Sequence, residues 1–282
     1  YGQFSAIKDM RAVDKQTVEF TLKSPQSWFD LNIADGGIMG IVPVGFDVEK
    51  PVSTGPFKLV SYDKQGTVQF ERFDNYWGDV AKFDQLEIKG IVEEDARINA
   101  LLSGQLDAAK ISPIQATRID GTNGFTSTNL ESSYIQPLIM RVDAGAFSSV
   151  EARQAMRYAI NRQQVLDVAY GGRGRLASDV YGASDPDFDK SLKRKQDLKK
   201  AKELAEQAGL TKAGTLPITV TKTYEKVAQV MAENAREIGV DLRVDVLEPG
   251  AYAEKMFEWE FTAEAFPLTH VLSMAALVDG PD

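Results

Sequence analysis

Two short apolar segments, Pro217–Thr221 and Leu242–Leu247, stand on either side of a helical stretch at 225–238, and this arrangement constrains the fold more than any other feature of the chain. Val227, Val230, Met231, Ala235 and Ile238 recur at helical spacing, and Gly239 ends the stretch. A strand, a helix of this length and a second strand form a crossover that returns the chain in the same direction, which favours a parallel pair and an α/β fold.

The helices around this unit are equally legible. Helical spacing predicts elements at 151–160, 162–170 and about 196–208. In the first, Ala152, Ala155, Met156, Ala159 and Ile160 share one face, and in the third Leu198, Ala201, Leu204, Ala205 and Ala208 do so, with Gly209 as the stop. The first half of the chain reads differently. Thr17–Lys23 alternates strictly, placing Val18, Phe20 and Leu22 on one face of a strand. Residues 55–62 and 67–72 flank the short turn Asp63–Gly66, a hairpin signal, and 85–91 supplies a third strand. Short helices are expected at 28–34 and 93–102, the latter with Glu93, Glu94 and Asp95 in its first turn, and brief extended segments at 38–43 and 106–111. The extended run 133–143 reads as a crossover, after which helices dominate.

Composition removes several function classes. The chain has 282 residues, 43% of them apolar and 26% charged, enough for a real core in one large or two smaller lobes. Thirty-two Lys and Arg against 41 Asp and Glu leave a net charge of −9, which opposes nucleic acid and anionic membrane surfaces. The absence of cysteine excludes thiol catalysis, disulfides and Cys-based zinc sites. His270, the single histidine, reads as a buried or capping residue rather than a catalytic one, and no nucleophile–base–orienter set assembles around it. No run approaches the roughly 18 apolar residues of a membrane span. The chain begins Tyr1-Gly-Gln-Phe, with neither Met nor a leader, and so reads as a processed or excised piece.

Other candidates for chemistry have plain structural readings. Gly171-Gly-Arg-Gly-Arg175 lacks the ending and context of a phosphate loop and reads as a flexible loop after a helix. The acidic pairs Glu93/Glu94 and Asp185/Asp187 match no calcium-loop pattern. The basic stretch Lys190–Lys202 reads as a solvated helix face. Aromatic residues gather at Trp28-Phe29, at Tyr76-Trp77 and at Tyr252 with Phe257, Trp259 and Phe261, where they suit either a cleft wall or a core. No catalytic or metal-ligating residue and no cofactor is expected.

Eight segments in fixed order carry a resemblance: Ala12–Pro25, Ser53–Tyr62, Arg72–Gly78, Leu102–Asp107, Val150–Arg162, Val168–Gly172, Ala201–Gly209 and Val246–Tyr252. Together they resemble the family 5 extracellular solute-binding proteins, the peptide- and nickel-type receptors of ABC importers. The resemblance implies a type II periplasmic-binding-protein architecture, two α/β lobes closing by a hinge on a ligand between them. It implies a first lobe with part of an adjoining subdomain at 1–132, a partial second lobe at 133–282, and a crossover near 133–143. Family members are about twice as long, so the chain is expected to be a fragment lacking N- and C-terminal portions.

The function implied is capture of a small solute, oligopeptide-like, and its delivery to an ABC transporter permease. A periplasmic or cell-surface location, a monomeric state, and membrane association only through a lipid anchor on a preceding segment are implied with it. A signalling or scaffolding member of the same fold is the alternative reading, and a hydrolase using Asp/Glu pairs with His270 is a more distant one. The expected ligand-binding residues are the loop Asp35, Gly36, Gly37, Ile38 and Met39, together with Tyr134 and Arg141 on the crossover. The glycines would let a ligand approach the backbone. Arg141 replaces an Asn usual in the family and would pair either with an anionic group of the ligand or in a salt bridge between lobes.

Overall fold

The computed structural model describes residues 4, 6–27, 29–34, 40, 42–63, 66–129, 135–179, 188–254, 259 and 261–263, with the backbone alone at 31 and 32. The chain forms two compact units, one of Tyr1–Ser24 with Pro113–Asp282 and the other of Pro25–Ser112. The division expected at 132/133 coincides with neither seam between these units. It concerned the lobes of a longer protein, and it returns below as a proposal.

The smaller unit is built on three antiparallel strands, β3 (Phe57–Tyr62), β4 (Thr67–Arg72) and β5 (Gln85–Lys89), in that order, after the short helix α1 (Phe29–Ala34). Phe70 stands opposite both Leu59 and Leu86, so the period-2 apolar residues align across the sheet. The expected hairpin turn forms as Gly66 N–H donates to Asp63 O at 2.9 Å. Gly66 has φ +118°, and a Cβ there would meet the Gly90 carbonyl oxygen at 3.1 Å. The position therefore needs glycine.

Helix α2 (Glu94–Leu102) follows, burying Ile98, Ala100 and Leu101. Glu94 and Asp95 stand in its first turn, as expected, with Glu93 just before it at the N-cap. The Glu94 carboxylate accepts the backbone N–H and the Oγ of Ser112. The strand expected at 106–111 does not form. Leu106 N–H returns to Ala100 O at 3.2 Å, and Arg97 bonds the carbonyls of Ile91, Val92 and Lys110. A side chain, not a neighbouring strand, satisfies that backbone.

In the larger unit, β1 (Ile7–Ala12) and β2 (Val18–Leu22) form an antiparallel pair. The alternation in β2 is only partly used, since Phe20 and Leu22 are half-buried and Val18 is exposed. Both β1 and the helix α3 (Pro113–Asp120) went unforeseen. The sequence of β1 has no clean alternation, and α3 buries only Ala116 and Ile119.

The core of this unit lies around a four-stranded sheet in the order β6-β9-β7-β8, with β6 (Leu138–Met140), β7 (Thr215–Thr221), β8 (Asp241–Leu247) and β9 (Phe261–Ala263). Strand β7 pairs in parallel with β8 from Thr215↔Asp241 to Thr221↔Leu247, as the crossover predicts, and it also runs parallel to β9. Helix α7 (Glu225–Glu237) makes the crossover, with all five residues of its expected stripe at 4% exposure or less.

Helices α4 (Val150–Ala159), α5 (Arg162–Tyr170) and α6 (Leu198–Gln207) complete the core. Each starts on a side chain that accepts a backbone N–H: Ser149 from Ala152, Asn161 from Gln164 and Asp197 from Lys200. Such caps satisfy donors that a helix start leaves open. The face of α4 predicted to pack does so, with Ala152, Ala155, Met156 and Ala159 fully buried. The helix α8 (Pro249–Glu254) ends the described helices and buries Tyr252.

Candidate ligand-binding site

Strand β6 runs antiparallel to β9, with Leu138 opposite Ala263 and Met140 opposite Phe261. Since β7, β8 and β9 run together, the residues just before β6 lie at the carboxyl-terminal end of the parallel strands. In open α/β sheets this is the end where ligands bind. Gln136 sits there, and its Oε1 accepts a hydrogen bond from the Tyr170 hydroxyl, at the end of α5, at 2.9 Å. Tyr224, in the turn that follows β7, adds a second phenol near Tyr170.

Gln136 and Tyr170 remain uncharged over the physiological range. Burial, with a smaller contribution from Tyr224, pushes the Tyr170 hydroxyl up to about 12. Among the described residues the buried Gln136 Nε2 has no hydrogen-bond partner. A buried amide donor left open costs stability unless something fills it. The end of the sheet therefore offers a neutral donor, suited to a carbonyl or another uncharged acceptor.

Beneath it the sheet is tied together. Thr262 Oγ1 donates to Thr219 O at 2.5 Å, Tyr252 Oη lies 2.8 Å from Thr262 Oγ1, and the rings of Tyr252 and Trp259 are 3.7 Å apart. Phe261 packs on Phe147 with centroids 4.7 Å apart. Of the third aromatic group expected from sequence, these members serve the sheet and core. In the smaller unit Trp77 is exposed and donates its indole N–H to Thr54 O at 3.0 Å.

Arg141 follows Met140, so it leaves β6 on the side away from Gln136. Its guanidinium binds Asp143, with Nε to Oδ1 at 2.7 Å and Nη2 to Oδ2 at 3.2 Å. Arg141 thus makes a salt bridge with Asp143, two residues along the chain. The expected site residues Asp35, Gly36, Gly37, Ile38, Met39 and Tyr134 lie outside the described residues, as does His270. Sequence reasoning passed over Gln136 and Tyr170; the available signal was a polar residue inside the extended run 133–143.

The Gly171–Arg175 loop is tied down rather than free. Arg173 reaches Asp120 at 2.6 Å and the Ser127 hydroxyl at 3.4 Å. Bonds from Ser127, followed by that of Arg173, hold the Asp120 carboxyl down at about 2. Among the described residues no group of three or more His, Cys, Asp or Glu is arranged to hold a metal. None of the described helices is long and apolar enough to cross a membrane.

The mixed sheet with its parallel crossover, helices and hydrogen-bonding end is part of a type II periplasmic-binding-protein fold. Residues 1–266 match the model of the bacterial extracellular solute-binding proteins, family 5 Middle, and the chain belongs to that family. It is 28% identical over 273 residues to the glutathione-binding protein GsiB of Pectobacterium atrosepticum, covering 91% of this chain and 52% of that one. To the dipeptide-binding protein of Escherichia coli it is 25% identical over 279 residues, covering 90% and 51%. The solved structure of DppA from Helicobacter pylori, in complex with the peptide STSA, superposes with a TM-score of 0.79 at 24% identity, covering 94% and 55%. The chain spans about half the length of the curated relatives it matches.

Proposed function

We propose that this chain is part of an extracytoplasmic solute receptor, periplasmic or at the cell surface, that captures an oligopeptide-like solute and passes it to an ABC transporter permease. Membership of family 5 carries this reading. The names of the relatives support the ligand class, because glutathione and dipeptides present amide carbonyls. In the same reading, residues 1–132 belong to the first lobe and 133–282 to the second. The ligand meets the 35–39 loop and Tyr134, and the free Nε2 of Gln136 donates to one of its carbonyls. An anionic group of the ligand reaching Arg141 competes with Asp143 for its guanidinium.

A ligand stabilises the protein by binding the folded state, and it favours closure only by binding the closed form more tightly. Calorimetry and thermal melting of the full-length protein with glutathione, dipeptides and longer peptides test the proposal. Saturable binding with a rising melting temperature and a smaller radius of gyration is expected. Absence of binding across that whole set would remove the peptide-receptor reading.

A further inference from the structure

A concentration of charge gathers on Asp179, in contrast to the neutral groups Gln136 and Tyr170. Asp179 stands at φ +65°, a left-handed conformation uncommon outside glycine, and three arginines converge on its carboxylate. Arg157 of α4 reaches Oδ2 through Nη2 at 3.1 Å and Nε at 3.3 Å, and Arg194 reaches the same oxygen at 2.8 Å. Arg162 of α5 takes Oδ1 and also donates to the carbonyls of Arg157 and Ile160. Beside them Lys200 donates to the Tyr158 hydroxyl at 3.1 Å and lies over its ring.

One carboxylate cannot neutralise four cations. The Arg157 and Arg194 side chains remain 39% and 40% exposed. Along the same segment Lys190, Lys193, Lys195, Lys199 and Lys202 are also exposed, and the carboxylates described among them are Asp189, Asp197 and Glu203. In a chain with a net charge of −9 this is a local reversal of sign. Asp179 also orients the Arg157 and Arg194 guanidiniums while part of each stays exposed. Fixed forks suit planar carboxylates, whereas a diffuse lipid surface needs only flexible lysines.

We propose that Arg157, Arg194 and Lys200 form a docking patch for a carboxylate-rich surface of a partner protein, with Arg162, only 18% exposed, anchoring Asp179. The inference does not depend on which solute the protein binds.

Poly-L-glutamate is the probe, titrated against the folded protein by calorimetry and compared with inorganic phosphate and phosphatidylglycerol vesicles. Binding to poly-L-glutamate is expected to weaken steeply with added salt, and Arg157→Gln with Arg194→Gln should weaken it about tenfold or more. Because those two residues also hold Asp179, Lys200→Gln keeps that anchor intact and should weaken binding about threefold. Arg243→Gln, which disturbs only a pair with Asp245, should change nothing. Absence of poly-L-glutamate binding, or equal binding by all variants, overturns the proposal. Patch-dependent binding of phosphate or vesicles in place of poly-L-glutamate overturns it as well, in favour of a free-anion or lipid site.

Discussion

Asn234 Oδ1 accepts the backbone N–H of Asn161 at 2.8 Å across 73 residues of chain. Its Nδ2 donates to Gln164 Oε1 at 2.7 Å, so one amide at 1% exposure ties α7 to the start of α5. Asn161 itself caps α5 through Gln164 N–H. A buried side chain thus fixes the residue at which one helix ends and the next begins.

Replacing Asn234 with Ala leaves the half-buried Asn161 N–H and Gln164 amide without this partner. Unfolding by urea should show a loss of about 2–4 kcal/mol, with the midpoint falling and the slope unchanged. A loss below 0.5 kcal/mol, roughly that of a neutral surface change, would mean that water replaces the amide.

Met156 and Val150 lie six residues apart on α4 and are expected to respond oppositely to truncation. Met156 is fully buried and Val150 is 52% exposed. Met156→Ala should cost about 2–5 kcal/mol through lost transfer energy and a cavity. Val150→Ala should stay within about 0.5 kcal/mol. Denaturant midpoints of the two variants measure the contrast.

Acid should undo the tie between Asp120, Ser127 and Arg173. The folded-state value of Asp120 is depressed from 3.8 to about 2, so its contribution is present above 3.8 and is lost as pH falls through about 2. Melting temperatures of the wild type and Asp120→Asn should converge over that window. Parallel curves would show that the carboxylate contributes nothing to folding.

Alkaline titration reports on Tyr170. With its folded-state value raised from 10.0 to about 12, its contribution is full below 10.0 and is lost as pH rises through about 12. Ultraviolet difference spectra should show one phenol ionising late, and Tyr170→Phe should remove that step. Glutathione or peptide bound at Gln136 should delay the step further, since it closes the site to water.

Much of the larger unit could be read directly from the chain. The stripes of α4, α6 and α7 match buried faces because a helix that packs on one side must repeat its apolar residues near 3.6. Crossover length set the parallel pairing of β7 and β8. Ser149, Asn161 and Asp197 stand where starting helices need acceptors. Strand β1 and helix α3 were not legible, because their partners rather than their own patterns hold them.

By itself, the sequence determined the local periods, the helix stops and the family, since each is written in residues close together along the chain. Only tertiary structure decided what the polar groups do. Gln136 meets Tyr170 across 34 residues, and Asp179 gathers Arg157, Arg162 and Arg194 from three separate segments. Hydrogen bonds and charge pairs require contact within a few ångströms, and no periodicity along the chain records which distant side chains folding will bring that close.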